Sequence, residues 1–129
     1  MLDTNLDVEK LKKLQFKIMK DVAASALIPL MRIGDQLGLF QKLSESGPIT
    51  SKKFAEEAKV DERYLREWLY ALSATDFVSY DAEKEEFSLS PEQKAVFADE
   101  EGPANMLGAY EVLAGQVYAE EKVLEAFKT

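Results

Sequence analysis

No cysteine and no histidine occur among the 129 residues of this chain. The first absence excludes disulfides and thiolate metal sites, so the fold must rest on packing alone. The second removes the commonest general base, the commonest metal ligand and any serine–histidine or cysteine–histidine pair. Glycine is sparse: Gly34, Gly38, Gly47, Gly102, Gly108 and Gly115 form neither a phosphate-cradling loop nor a dinucleotide turn between a strand and a helix. Long apolar runs are missing, since the longest uncharged stretch, residues 22–31, falls far short of a bilayer span. Asp3, Asp7 and Glu9 stand where a secretory leader would carry basic residues, which points to the cytoplasm. Positive charge is also short, with 16 basic against 24 acidic residues and a net charge of −8. Phosphate backbones are held mainly by lysine and arginine, so this balance disfavours a nucleic-acid partner.

What is present suits a single domain. A hydrophobic content of 47% supplies a core for a chain of this length, and the 31% of charged residues covers long surface helices. A first helix is expected over residues 6–25, with Leu11, Leu14, Ile18 and Val22 on one face and five lysines around the rest. Pro29 marks either a kink or the start of a second helix, over residues 28–44, carrying Leu30, Ile33, Leu37 and Phe40. Gly34 and Gly38 lie four apart inside that helix and point to close approach by another helix. After the turn Ser46-Gly47-Pro48, Thr50 caps a short helix over 51–58, and Asp61 caps another running to about Ala74. Leu65, Trp68, Leu69 and Leu72 form the inner face of the latter, while Glu62 with Arg66 and Arg63 with Glu67 make opposite-charge pairs outside. Residues 77–80 and 86–89 read as two strands around a charged turn, the wing of a helix-turn-helix. Ser90-Pro91 opens a helix over 92–98, an acidic stretch breaks it, and a last helix covers residues 104–127. The expected fold is therefore mainly α, a winged helix-turn-helix with a two-stranded β wing and extra terminal helices. Residues 1–45 form the N-terminal helices, 46–98 the winged helix and 103–129 the C-terminal helix.

The acidic clusters at 56–57, 85–86 and 99–101 lack the spacing and apolar framing of a paired-carboxylate site and read as solvated surface. No catalytic, cofactor or metal residues are assigned to this chain. A winged helix invites comparison with DNA-binding regulators, for which Arg63 and Arg66 would be the groove contacts. Residues 50–75 carry five basic and five acidic side chains, however, and residues 81–101 carry eight acids against Lys84 and Lys94. A wing of that sign is repelled by phosphates. The regulator stands as the alternative reading.

Several segments together resemble one family. The run Ile33-Gly34-Asp35-Gln36-Leu37-Gly38-Leu39-Phe40, then Gly47-Pro48-Ile49-Thr50, is similar to the amino-terminal domain of bacterial class I S-adenosylmethionine-dependent methyltransferases. Arg63-Tyr64-Leu65-Arg66-Glu67-Trp68-Leu69 resembles the same family's recognition-helix segment, and Phe87-Ser88-Leu89-Ser90-Pro91-Glu92 extends the likeness past the wing. The resemblance spans roughly residues 27–129. It implies a domain that mediates homodimerisation and helps roof the pocket of a small-molecule methyl acceptor. S-adenosylmethionine would be held by a separate Rossmann-like domain outside these 129 residues. Leu27, Leu30, Met31 and Gly34 are the expected dimer-interface residues, and Met106, Tyr110 and Leu113 the expected substrate lid. No membrane partner is expected.

Overall fold

The computed structural model describes residues 4–128; Met1, Leu2, Asp3 and Thr129, which belong to the expected 1–129 domain, lie outside the described residues. The first helix, α1 (Val8–Ser25), starts where the Asp7 carboxylate accepts from the amides of Glu9 and Lys10. It ends at Ala26, and α2 (Leu27–Gln36) follows at once. Pro29 falls in the first turn of α2, where its missing N–H costs nothing, so it marks a helix start and not a kink.

The expected single helix over 28–44 is two helices. Gly38 adopts φ +63°, the left-handed region that L side chains avoid, and turns the chain from α2 into α3 (Leu39–Ser46). It is thus a hinge glycine, with no helix pressed against it. Gly34 does mark a close approach: a Cβ there would meet Trp68 Cζ2 at 2.6 Å and Phe40 Cε2 at 2.7 Å.

Beyond α3 come β1 (Ile49–Thr50), α4 (Ser51–Ala58) and α5 (Glu62–Ala74). Thr50 Oγ1 accepts from the Lys53 amide and Asp61 Oδ1 from the Tyr64 amide, so both expected caps are made. The wing pairs β2 (Ser79–Asp81) with β3 (Glu86–Ser88), shorter than the expected strands. β1 adds a third, unexpected strand, in the antiparallel order β1-β3-β2. Phe87 in the central strand faces Ile49 on one side and Tyr80 on the other, and its ring stacks on Tyr80 at 4.6 Å. A β-branched pair beside a proline carries this strand, too short for alternation to reveal it.

α6 (Pro91–Phe97) opens with a reciprocal capping box: Ser90 Oγ accepts from the Gln93 amide while Gln93 Oε1 accepts from the Ser90 amide. The last expected helix also divides, into α7 (Leu107–Tyr118) and α8 (Glu120–Lys128). Glu120 and Glu121 occupy the first turn of α8, where the positive end of the helix dipole favours acids, so a fresh start there is stabilised without any glycine or proline.

Met31, Phe40, Leu43, Phe54, Leu69, Leu72, Val78 and Phe87 are fully enclosed at the centre of the winged helix. Phe40 anchors this core, its ring 5.2 Å from both Trp68 and Phe97. The fold is mainly helical, a winged helix-turn-helix with flanking helices at both ends, as the sequence predicts. Among the described residues, no helix is long and apolar enough to cross a membrane.

Candidate functional site

The expected interface residues divide between inside and outside. Met31 is fully buried and Gly34 is closed over by Trp68 and Phe40, so both serve the core of their own chain. Leu27 and Leu30 are half-buried at the core's edge. The Leu30 carbonyl accepts from Trp68 Nε1 at 2.8 Å, which ties α2 to α5. On the same side, α2 and α5 leave an apolar groove of about 570 Å³ between Leu30, Ile33, Leu37, Tyr64 and Trp68, with Asp61 and Glu67 on its rim.

The three expected lid residues lie along one stripe of α7 and its cap. Met106 is exposed and its amide donates to the Val96 carbonyl, pinning the start of α7 to α6. Tyr110 is half-buried against the core, and this burial raises its hydroxyl above the ordinary value of 10.0. Leu113 is 42% exposed and opens onto a second apolar groove, about 550 Å³, walled by Ile28, Val117, Val123, Leu124 and Phe127. The face therefore presents aliphatic and aromatic surface with few polar atoms. Arg32 Nε donates to Glu111 Oε1 at 3.0 Å and its guanidinium lies 6.0 Å from the Tyr118 ring centre, bracing α2 against α7. The Glu111 hydrogen bond, then that of Tyr118, raises the Arg32 pKa above its ordinary value.

The excess apolar surface of the first helix was legible in the sequence; that of α8 was not singled out there. None of the described residues of α1 or α8 is buried, yet α1 exposes Leu14, Phe16, Ile18, Met19 and Val22, and α8 exposes Val123, Leu124 and Phe127, the last at 87%. Tyr118 at the end of α7 is 79% exposed. The signal was legible: α1 carries more apolar positions than one stripe holds, with Phe16 and Met19 off its main face.

The basic side chains of the helix-turn-helix are exposed but matched in number by acids. Arg63 and Arg66 are both exposed on α5, but Arg66 Nη1 lies 3.5 Å from Glu62 Oε1, which also accepts from Ser51 Oγ. The expected Arg63–Glu67 pair does not close to salt-bridge distance. At the wing tip Asp81 Oδ1 accepts from the amides of Glu83 and Lys84, and Glu85 and Glu86 follow, leaving the tip acidic. Among the described residues no acidic cluster has the grouping of a metal site.

Residues 23–98 match the family of the Rv2258c-like winged HTH domain. The chain belongs to this family. No curated protein matches it. Among solved structures, PigF with SAH superimposes with a TM-score of 0.58 at 15% identity, over 94% of this chain and 36% of that one. A LepI variant in complex with SAH and a substrate analogue gives a TM-score of 0.56 at 20% identity, over 68% of this chain and 24% of that one. At such identities the likeness is one of fold. The chain spans about a quarter to a third of the length of these proteins.

Proposed function

We propose that this winged helix is the dimerisation and substrate-lid domain of an S-adenosylmethionine-dependent methyltransferase. The observation that carries the reading is the uncovered apolar surface of α1, α7 and α8 around a core that is otherwise closed. A free-standing domain gains nothing from holding Phe127 and Tyr118 in water, whereas a module packed against a mate and a catalytic domain buries both. Both structural neighbours hold SAH in proteins about three to four times the length matched, which supports a cofactor site on a separate domain. In this reading Met106, Tyr110 and Leu113 supply an apolar wall over a small-molecule methyl acceptor. The domain contributes shape and exclusion of water, while binding of S-adenosylmethionine and methyl transfer belong to the other domain.

Titrating S-adenosylmethionine calorimetrically into these 129 residues is expected to give no binding heat. Micromolar binding would overturn the division of labour. Light scattering at micromolar concentration is expected to report a dimer, and a monomer there would remove the dimerisation role. The alternative, a DNA-binding regulator, requires an affinity that weakens with salt and with alanine at Arg63 and Arg66. The acidic wing tip argues for no mobility shift of DNA even at low salt.

A further inference from the structure

Beside the wing lies a cleft that shares no lining residue with the two apolar grooves and is lined differently. It holds about 330 Å³ between the start of α4, α5 and β3, within the range of small-molecule sites. Strand β1 brings these elements together: Ile49 pairs with Phe87 and Thr50 with Glu86, so the first turn of α4 stands beside Glu85. The charged lining residues are Lys52 and Arg66 against Glu85, a surplus of one positive charge on a chain of −8. Glu62 Oε1 accepts from Ser51 Oγ at 3.0 Å and lies 3.5 Å from Arg66 Nη1, which holds the guanidinium at the wall and leaves most of its five donors open. Lys52 and Glu85 enter no ion pair among the described residues. The floor is aromatic: Phe87 is buried, and the exposed Tyr70 ring lies 5.6 Å from it. Glu85 takes φ +53°, a left-handed position that glycine fits at lower cost, so a carboxylate is held at the lip against the backbone's own preference.

We propose that this cleft binds a small aromatic carboxylate that bears a hydroxyl or amino group. The ligand carboxylate lies between Lys52 and Arg66, whose planar fork meets both oxygens. The ring rests on Tyr70 and Phe87, offset or edge-on as aromatic pairs prefer. At the far end of the ring the hydroxyl or amino group donates to Glu85, which repels a second acid there. Nucleic acid is disfavoured at the same place: a phosphate chain crossing the cleft would run along Asp81, Glu83 and Glu86, which a single small anion does not meet. No residue assigned above to the dimer interface or the lid lines the cleft.

The test follows backbone amide chemical shifts of the chain by NMR as 4-hydroxybenzoate is added to millimolar concentration. Shifts are expected to concentrate at residues 50–52, 66–70 and 85–87, with a dissociation constant on the order of 1 mM. Arg66→Gln and Lys52→Gln, both at exposed positions, are each expected to weaken binding about fivefold. Arg63→Gln, outside the cleft, is expected to leave it unchanged. Glu85→Gly is expected to abolish the preference for 4-hydroxybenzoate over benzoate and to raise the urea midpoint, because glycine suits the left-handed position. Absence of shifts at these residues would overturn the site, as would equal binding of inorganic phosphate or of the uncharged methyl 4-hydroxybenzoate. Affinity indifferent to Arg66→Gln and Lys52→Gln would do the same. A preference over benzoate that survives Glu85→Gly would overturn the orientation assigned to the ligand.

Discussion

At Gly34 the chain closes to a separation that leaves no room for a methyl group. The Trp68 and Phe40 rings stand 2.6 and 2.7 Å from where a Cβ would be, and neither ring is a flexible chain end that can swing aside. Alanine is the better helix former by about 1 kcal/mol, but overpacking a closed core costs about 1–3 kcal/mol. Gly34→Ala is therefore expected to lower stability by up to roughly 2 kcal/mol, read as a lower urea midpoint with an unchanged slope. Tyr110 gives a prediction in pH. Burial raises its hydroxyl pKa in the folded chain above 10.0, so the folded state holds the proton more tightly than the unfolded one. Its stabilising contribution is complete below about pH 10 and is lost as pH rises through the raised value. Tyr110→Phe is expected to flatten the alkaline fall in urea midpoint. Tyr80, raised by burial and then by its hydrogen bond with Tyr70, retains part of the fall.

Among the elements, α6 depends most plainly on local chemistry. At seven residues it is too short to hold by propensity, and the reciprocal bonds between Ser90 and Gln93 satisfy its free amides. Gln93 also accepts from Ser79 Oγ and donates to the Asp76 carbonyl, so the cap joins α6 to the wing. Ser90→Ala is expected to cost about 1 kcal/mol, measured by chemical denaturation. Two caps were legible in advance, Thr50 and Asp61, and Pro91 marked the start of α6, whose Ser90–Gln93 box the structure added. The helix ends were less so. The interruption at Gly38 was hidden because a glycine inside an apolar stripe reads equally as a tolerated residue or as a left-handed turn. The interruption at Ala119 had only the acids that follow it as a sign.

For the whole molecule, a closed core beside open terminal helices predicts how substitutions divide. Leu124 and Phe127 are exposed, so Leu124→Asp with Phe127→Asp is expected to change folding stability by no more than about 0.5 kcal/mol. The same pair is expected to reduce binding of a hydrophobic dye such as ANS, because it places charge on the α8 side of the second groove. A loss of several kcal/mol would show instead that α8 is an integral part of the core. Much of the candidate site was out of reach of the sequence at this scale. Leu27, Leu30, Met31 and Gly34 share a short stretch of α2, yet the fold turns Met31 and Gly34 inward and leaves Leu30 at the groove edge.

The sequence by itself determined the helical periodicities, the caps, the wing, the excess of acidic over basic residues and the lack of histidine or cysteine chemistry. These follow from nearest neighbours along the chain and from composition, which no folding event alters. Only the tertiary structure decided which apolar faces are covered. α1 and α5 carry similar stripes, but that of α5 is buried at Leu65, Trp68, Leu69 and Leu72 while that of α1 meets solvent. Periodicity states that a face is apolar; what lies against it depends on the path the chain takes through Ala26, Gly38 and Ala119.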